Sequence, residues 1–402
     1  MPPMSLMSLA DLPHSVLWHL RRMPERVVEH GVSPALLGWR WRVREGLDAY
    51  LARTGRRHAK TVLAPARTAF APMPRNVASR EDLADDGALW GYAMRNVPER
   101  RVAETCLARI PDAQLVFFHT PDKRDFFPAM ITADGTSLET REISYRPGHA
   151  AQAAAAARGD AGVQRFETAT WMLERAYHNH SHWLTAHLPK LLLLRERKAL
   201  HDVLMPREMT PVMEDSLRLL GIDPAMFRRF DPAHPVEVED LTLVVTDRFD
   251  PAHMRRVRSA FADPARHTDA VSRKVFISRE KSRGRRITNE AALWAMLEGR
   301  GFEKVFMEDL AFPEQVALMQ RTRVLVAPHG AGLTNMLFCP EGGHVVEMAD
   351  AGFPNPNFYN LATGLGLHYW LLHAEAGAAA HPLDRDLTVD VAGVEAVLER
   401  IG

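Results

Sequence analysis

The sequence predicts an α/β protein whose C-terminal half forms a parallel, Rossmann-like sheet. In that half, short apolar segments alternate with longer amphipathic segments, and the connections between them are short. This alternation is typical of parallel strands joined by helical crossovers. A glycine-rich turn follows one of the apolar segments, and a chain of 402 residues is too long for one ordinary core. We therefore expect two domains and an extra arm.

The expected organisation has four segments, and Pro264 with the polar residues around it marks the main boundary. The segments are an N-terminal helical arm at 1–60, a first α/β domain at 61–265, a second domain at 266–375 and a C-terminal tail or helix at 376–402.

The arm mixes tryptophans and leucines with arginines, and Pro24 and Pro34 interrupt it. Such helices could lie on an anionic membrane surface, or they could pack on the rest of the chain or on a second copy of it. Acidic residues such as Glu25 and Glu29 dilute the positive face, which favours packing. Peripheral contact with the inner face of a membrane and homo-oligomerisation therefore both stay open.

The composition limits the partners and the compartment. The 50 Lys and Arg residues balance 50 Asp and Glu residues, so no global field favours nucleic acid. Cys106 and Cys339 are the only cysteines, and reduced thiols in the cytoplasm are the simpler assumption for them. We find no apolar segment long enough to span a bilayer and no signal-peptide pattern at Met1. We expect a cytoplasmic protein.

Alternating and apolar segments predict the individual elements. In the first domain, strands are expected at 115–119, 126–131 and 241–245, and the turn at 134–136 indicates antiparallel pairing. In the second domain, strands are expected at 275–278, 305–307, 324–327 and 345–348, with helices at 289–298, 313–322 and 333–338.

Polar residues surround the glycine turn that follows the strand at 324–327. Gly330 and Gly332 remove side chains there, His329 and Asn335 lie close by, and Glu347 ends the adjacent strand. In α/β sheets, ligands bind at the carboxyl ends of strands, and an acid so placed often accepts hydrogen bonds from ribose. A tight turn without a ligand is the alternative, but these polar groups favour a nucleotide.

A basic run follows the strand at 275–278. Such a run is usually a solvated surface, but this one lies at the carboxyl end of a strand. Arginine donates in a planar fork that suits phosphate oxygens. Arg279, together with either Arg285 or Arg286, could therefore neutralise a diphosphate.

Several ordered motifs make the chain resemble glycosyltransferase family 61. The resemblance covers roughly residues 175–370 and rests on several motifs in order, which is more specific than any one of them. These motifs are PHGAGLTNMLF at 328–338, PEGG at 340–343, VVEM at 345–348, VFISR at 275–279, RRI at 285–287, NE at 289–290 and NHSHWL at 179–184.

The resemblance implies a GT-B-like architecture, with two Rossmann-like domains facing a cleft. It implies an inverting glycosyltransferase that uses a nucleotide sugar, a UDP-sugar, without a cofactor, and a glycan or lipid-linked acceptor of a cell-surface polysaccharide such as capsule. No metal is expected, because the only Asp-x-Asp, at 384–386, lies in the tail. The residues expected to bind the donor are Arg279 and Arg286 at the phosphates, His329, Gly330, Ala331, Gly332 and Asn335 at the diphosphate or sugar, and Glu347 at the ribose.

The resemblance also makes His182 the expected catalytic base, in the His-Trp-Leu motif on the acceptor side. A neutral imidazole can take a proton from an acceptor hydroxyl. Many members of the family carry an acid four residues later, where this chain has Ala186, so His187 is an alternative base. Four histidines lie within 178–187, but no acid completes a recognised ligand pattern, and a metal site is not expected there.

Two other classes of protein remain as rivals. A nucleotide-dependent oxidoreductase would also use a glycine turn, but Asn335 stands where the third glycine of Gly-x-Gly-x-x-Gly should be. A binding protein without catalysis would explain Ala186 as the mark of a lost base.

Overall fold

The computed structural model describes residues 43–87, 90–120, 125–160, 162–262, 272–379 and 381–402. Most of the expected N-terminal arm, residues 1–42, lies outside the described residues. The described end of that segment forms a short strand and a helix, and the strand joins the first sheet beside residues 137–139.

The strands are β1 (Arg44–Gly46), β2 (Lys60–Ala64), β3 (Arg67–Phe70), β4 (Glu99–Val102), β5 (Thr105–His119), β6 (Phe126–Ile131), β7 (Ser137–Glu139), β8 (Gln164–Trp171), β9 (Leu204–Pro206), β10 (Arg228–Phe230), β11 (Val236–Val245), β12 (Arg273–Ile277), β13 (Phe302–Val305), β14 (Thr322–Pro328), β15 (His344–Asp350), β16 (His368–Ala376) and β17 (Leu387–Thr388).

The α-helices are α1 (Leu47–Arg53), α2 (Ala150–Ala157), α3 (His180–His182), α4 (Leu188–Glu196), α5 (Pro211–Leu219), α6 (Pro251–Ala260), α7 (Glu290–Gly299), α8 (Phe312–Met319), α9 (Asn357–Gly364) and α10 (Val391–Ile401). A π-helical turn, Trp183–His187, joins α3 to α4. A 3₁₀-helix, Ala331–Phe338, follows β14 and is called the glycine-turn helix below.

The first sheet is mixed, which corrects the expectation of two Rossmann-like domains. Its order is β1-β7-β6-β5-β11-β8, with β2 also paired to β5. The long strand β5 is antiparallel to both β6 and β11, and only the outer pairs β11–β8 and β1–β7 are parallel. The chain returns between β6 and β7 through a tight turn in which Gly135 has φ +82°. A tight turn of this kind makes antiparallel neighbours, whereas a parallel pair needs a longer crossover.

The second sheet is the parallel sheet that the sequence predicts. Its order is β13-β12-β14-β15-β16-β17, and only β17 runs antiparallel to its neighbour. In the register of β14 and β15, Ala327 pairs with Glu347 and Pro328 with Met348. Because the strands are parallel, the ends of β12, β14 and β15 meet at one edge, next to the glycine turn.

The two largest buried clusters pack on opposite faces of the second sheet. The larger one runs without a break from the first sheet to one face of the second, and it includes Trp171, Trp183, Phe312 and Phe338. The smaller one covers the opposite face of the second sheet, where helix α10 packs and where the C-terminal segment adds strand β17. The first and second sheets are therefore packed against each other through a shared apolar core.

Two other expectations can be compared with the structure. Both cysteines are free, buried thiols. Within the described ranges, no helix has the length and apolar composition needed to cross a bilayer.

Candidate functional site

The carboxyl ends of β12, β14 and β15 bring a basic, an imidazole and a carboxylate side chain to one edge of the second sheet. Ser278 and Arg279 follow β12, His329 follows β14, and Glu347 lies within β15. This is the edge where α/β sheets bind ligands.

The Glu347 carboxylate binds His329 and Tyr369. His329 Nδ1 donates to Glu347 Oε1 at 2.5 Å, and the Tyr369 hydroxyl donates to Oε2 at 2.7 Å. The Glu347 side chain is 1% exposed. Both oxygens are used inside the protein, which gives this carboxylate a positioning role and argues against the expected ribose contact.

The bonds of His329 fix its neutral tautomer. Nδ1 carries the proton that goes to Glu347, and Nε2 accepts from Asn355 Nδ2 at 3.2 Å. Burial lowers the pKa of His329, while Glu347 opposes that effect and Arg285 and Arg279 add to it. Nε2 is the ring atom left to meet a ligand.

Gly330 is a glycine because Arg279 lies against it. A Cβ added at Gly330 would lie 2.9 Å from Cζ of Arg279 and closer still to Nη1. The Arg279 guanidinium is held by two hydrogen bonds to the Gly284 carbonyl, at 3.2 and 3.0 Å from Nε and Nη2. Burial lowers the pKa of Arg279. The structure therefore presents Nη1 of this arginine at the start of the glycine-turn helix, as an anion site requires.

Ala331 and Gly332 complete the turn. A Cβ at Gly332 would meet Ile277 at 3.4 Å and Met307 at 3.5 Å, which are ordinary packing distances. Ala331 is the first residue of the glycine-turn helix. The first N–H groups of a helix have no partner within it and favour an anion.

Arg286 is paired at the surface, which argues against its expected phosphate role. Its guanidinium forms an exposed ion pair with Asp386 at 2.6 Å. The neighbouring Arg285 lies close enough to His329 to lower the pKa of that imidazole, and its backbone has φ +60°. Arg285, the alternative weighed from the sequence, is thus the second arginine whose charge acts on His329.

Asn335 is buried, and its hydrogen bonds to protein groups argue against a direct role in donor binding. Its Nδ2 donates to Gln315 Oε1 at 3.0 Å and to the Gly332 carbonyl at 3.1 Å. Its Oδ1 accepts from His180 Nε2 at 3.1 Å. Asn335 therefore ties helix α3 of the first part of the chain to the glycine turn.

His182 lies on that same helix and is engaged by Arg248. Asn179 Oδ1 caps the helix by accepting from the backbone N–H groups of Ser181 and His182. Arg248 Nη1 donates to His182 Nε2 at 3.3 Å. Burial, first, and the charge of Arg248, second, lower the pKa of His182 well below its ordinary value. The imidazole is neutral, but its acceptor nitrogen is occupied in this arrangement.

His187 is not placed to act as the alternative base. It is fully buried, and its Nε2 accepts from the backbone N–H of Glu174 at 2.9 Å. Ala186, at the position where many family members carry an acid, is also buried. Lys190 and Glu174 form a buried ion pair beside them. His187 and the residues around it therefore have a structural role.

The sequence reasoning missed Arg248, Asn355 and Tyr369. Arg248 follows the buried strand β11, so the strand-end rule used for Arg279 could have found it. Tyr369 and Asn355 carried no such signal, since only the packing of β16 and the loop before α9 brings them to Glu347 and His329.

The acids of the Asp-x-Asp in the tail face arginines. Asp386 pairs with Arg286, and Asp384 lies 3.9 Å from Arg283. In the part of the chain that the structure describes, no three His, Cys, Asp or Glu side chains are grouped to hold a metal ion.

The candidate site has two ends, one at the glycine turn and one at helix α3. At the glycine turn, Arg279, Arg285 and helix N–H groups supply positive charge beside His329, which suits a diphosphate. At helix α3, a neutral imidazole and a buried guanidinium suit proton transfer and anion binding. His180, bonded to Asn335, connects the two ends.

Comparison with known proteins points to glycosyl transfer. The sequence model described as Glycosyltransferase 61 matches residues 180–346. The EGF domain-specific O-linked N-acetylglucosamine transferase of Drosophila melanogaster is 34% identical over 100 residues, 24% of this chain. The protein O-linked-mannose β-1,4-N-acetylglucosaminyltransferase 2 of Canis lupus familiaris is 36% identical over 116 residues, 25% of this chain. The chain spans 19% of the length of each of these relatives.

Among solved structures, a dodecameric iron-containing heptosyltransferase in complex with ADP-D-β-D-heptose matches 70% of this chain and 83% of its own, with 12% identity and a TM-score of 0.28. A TM-score of this size does not define a shared fold.

Proposed function

We propose that this chain, whose residues 180–346 match the sequence model of Glycosyltransferase 61, transfers a sugar from a nucleotide donor, a UDP-sugar, to an acceptor hydroxyl with inversion. The observation that carries the proposal is the Arg279 guanidinium against Gly330, at the end of a parallel strand and the start of a helix. This arrangement suits the diphosphate that leaves in such a reaction.

In the proposed complex, the diphosphate lies at the glycine turn. Arg279 and Arg285 neutralise its charge, and the N–H groups at the start of the glycine-turn helix donate to its oxygens. Metal is not required in this arrangement, because two arginines and a helix N-terminus can supply the positive charge.

His329 assists departure of the diphosphate. In the free protein its Nε2 accepts from Asn355. A bound diphosphate adds negative charge beside an imidazole that already faces Glu347, and opposite charge favours the protonated form. Protonated His329 then donates from Nε2 to a phosphate oxygen, while Glu347 holds Nδ1.

The transfer is a single displacement between the two ends of the site, in the GT-B manner of a donor on one sheet and an acceptor on the other. The acceptor oxygen forms a bond to the anomeric carbon as the bond to the diphosphate breaks, and the diphosphate takes the electron pair. His182 accepts the proton of the acceptor hydroxyl. One displacement at one carbon inverts its configuration.

The acceptor class has two sources of support. The family resemblance suggests a cell-surface polysaccharide or a lipid-linked glycan, and the relatives' names specify O-linked glycans and EGF domains. All of these offer a hydroxyl nucleophile, so an acceptor screen should include both groups.

A cytoplasmic location, peripheral contact with the inner face of the membrane and homo-oligomerisation stay predictions from the sequence.

Calorimetric titration with UDP, UDP-sugars and NAD, first in chelator and then in magnesium, tests the donor site. We expect UDP to bind without metal and NAD not to bind. Arg279→Gln should weaken UDP binding at least about tenfold, the effect of losing charge-assisted hydrogen bonds. Arg165→Gln, which breaks an ion pair with Glu237 on the first sheet, is the matched control and should bind UDP normally.

The same titrations distinguish the two rival functions, an oxidoreductase and a binding protein without catalysis. NAD binding in place of UDP would identify an oxidoreductase. UDP binding without hydrolysis or transfer of a labelled sugar, on any acceptor class, would identify a binding protein of the same fold.

A further inference from the structure

Arg248 is a buried cation whose hydrogen bonds all go to neutral groups. Its side chain is 7% exposed. Nε donates to Thr185 Oγ1 at 2.8 Å, Nη2 to Ser181 Oγ at 3.2 Å and Nη1 to His182 Nε2 at 3.3 Å. Among the ion pairs of the described residues, none includes Arg248.

The neighbouring arginines differ in this respect. Arg100 forms a bidentate pair with Asp247 at 3.0 Å, and Arg175 pairs with Asp125 at 2.7 Å. Burial lowers the pKa of Arg248 to about 10, so it still carries its charge at neutral pH. The carboxylates of Glu142 and Glu174 act on its charge, but neither forms an ion pair with it. A buried charge that lacks a directly paired counter-charge is costly, and packing alone would be served by an apolar side chain.

The loop that carries Arg248 is held on both sides. Asp247 binds Arg100 before it, and Asp250 binds Arg67 after it, with Nη1 to Oδ2 at 2.9 Å. Phe249 packs against the Arg248 guanidinium itself, 4.9 Å from Cζ to the ring centroid. The loop therefore presents this guanidinium to helix α3 with little freedom, as a preorganised binding group requires.

We propose that Arg248 binds an anionic oxygen group of the acceptor, a carboxylate or a phosphate, and that this binding frees His182 to act as the base. The inference rests on the proposed transferase function and adds the chemical class of the acceptor.

The position of Arg248 favours the acceptor over the donor. Its side-chain hydrogen bonds go to the segment of Ser181 to Thr185, which carries the proposed base. Arg279 and Arg285, in contrast, are the arginines whose charge acts on His329 at the glycine turn. The donor diphosphate thus has its own cations, and Arg248 is left for the second substrate.

The tautomer of His182 explains why the anion is needed. Arg248 donates to Nε2, so in the neutral ring the proton is on Nδ1. Neither nitrogen can then accept a proton. When an acceptor anion draws the guanidinium to itself, Nε2 becomes free and takes the proton of the acceptor hydroxyl as the new bond to the anomeric carbon forms.

The charges around His182 also oppose its role as a base. Arg248, Arg175, His187 and His178 all lower the pKa of His182. An anion paired with Arg248 cancels the largest of these charge effects and brings the pKa of His182 back toward neutrality. An acceptor that carries the anion thereby activates the base, and a neutral acceptor does not.

The test is an NMR titration of the His182 imidazole in the full chain, assigned by its loss in His182→Gln. The probes are D-glucuronate, methyl phosphate and uncharged D-glucose, each with and without UDP. We expect glucuronate or methyl phosphate to raise the pKa of His182 by about one unit or more, and glucose to have no effect. The tighter of the two anions identifies the group.

Variants locate the effect at Arg248. Arg248→Gln should weaken anion binding at least about tenfold and abolish the pKa response, and Arg248→Lys should restore part of both. Arg109→Gln, which breaks an exposed pair with Asp240, is the control and should respond as the wild type does. The wild-type titration does not depend on Arg248→Gln, so misfolding of that variant would not prevent a decision.

Three results would overturn the inference: no response of His182 to either anion, an equal response in Arg248→Gln, or displacement of both anions by UDP, which would assign Arg248 to the donor site. If UDP binds but the anions do not, only this inference fails. If UDP does not bind the wild type, the transferase proposal fails with it.

Discussion

Glu347 accepts a hydrogen bond from His329 through one carboxylate oxygen and from Tyr369 through the other, and it is buried beneath both. His329 is thereby fixed with its proton on Nδ1 and its lone pair on Nε2, toward Asn355. The carboxylate that the sequence suggested for a ribose instead fixes the tautomer of this imidazole, at the edge where we propose that the diphosphate binds.

This relationship predicts proton uptake when UDP binds. Burial lowers the pKa of His329 in the free protein, and a diphosphate beside it should raise that pKa again. We expect uptake of up to about one proton per UDP near pH 7, measured from the binding enthalpy in buffers of different ionisation enthalpy. Glu347→Gln should reduce the uptake. Equal uptake in His329→Gln would show that another group titrates.

The contact between Gly330 and Arg279 predicts different effects of two glycine substitutions. Gly330→Ala places a Cβ against the end of the Arg279 side chain, which can move, so the protein should fold but bind UDP at least about tenfold more weakly. Gly332→Ala makes ordinary contacts with Ile277 and Met307 and should change UDP affinity little. Calorimetry and thermal unfolding on both variants check this, and equal losses of affinity would contradict the proposed position of the phosphates.

Two adjacent arginines provide a second comparison. Arg285 acts on His329, whereas Arg286 pairs with Asp386 at the surface. Arg285→Gln should weaken UDP binding at least about tenfold, and Arg286→Gln should leave both UDP affinity and Tm nearly unchanged. A larger loss of affinity in Arg286→Gln would restore the assignment made from the sequence.

The buried pair of Lys190 and Glu174 predicts a loss of stability without a direct loss of chemistry. Their side chains are 1% and 6% exposed. Lys190→Met leaves the carboxylate buried without its partner and should cost about 3–5 kcal/mol in the free energy of unfolding. The double variant Lys190→Met/Glu174→Gln should recover part of that loss. Urea unfolding measures both, and additive losses would mean that the two side chains do not interact.

His149 predicts a loss of stability in acid. It is fully buried, its Nε2 donates to the Phe127 carbonyl at 2.9 Å, and burial lowers its pKa to about 4. Between that value and the ordinary pKa of histidine, the unfolded chain binds more protons than the folded one, so stability rises with pH. One such histidine contributes a slope of about 1.4 kcal/mol per pH unit in that window.

Urea unfolding at several pH values from 7.5 down to 4.5 measures this slope. His149→Gln lowers stability throughout, but its slope below pH 6.5 should be smaller than that of the wild type. An unchanged slope would assign the acid sensitivity to other histidines, such as the half-buried His180 and His344, whose pKa values desolvation also lowers to about 4.

The second sheet was largely predictable, and the first only in part: the strand at 126–131 and the antiparallel turn after it are confirmed. The strands at 275–278, 324–327 and 345–348 lie in or directly beside the observed β12, β14 and β15, since their apolar segments end at strong turn signals. In the first sheet, 115–119 and 241–245 are only the ends of the longer β5 and β11. Polar residues on the partly exposed positions of these strands hid their length.

The sequence by itself determined the parallel sheet, the glycine turn at a strand end and the family motifs, because periodicity and turn chemistry are properties of neighbouring residues. The tertiary structure decided which groups face one another: Glu347 with His329 and Tyr369, Arg285 rather than Arg286 near the turn, and Arg248 with His182. These pairs join positions that are remote in the chain or that differ only in the direction of one side chain. Hydrogen bonds and charge interactions depend on distances of a few ångström, and only the packing of the elements sets those distances.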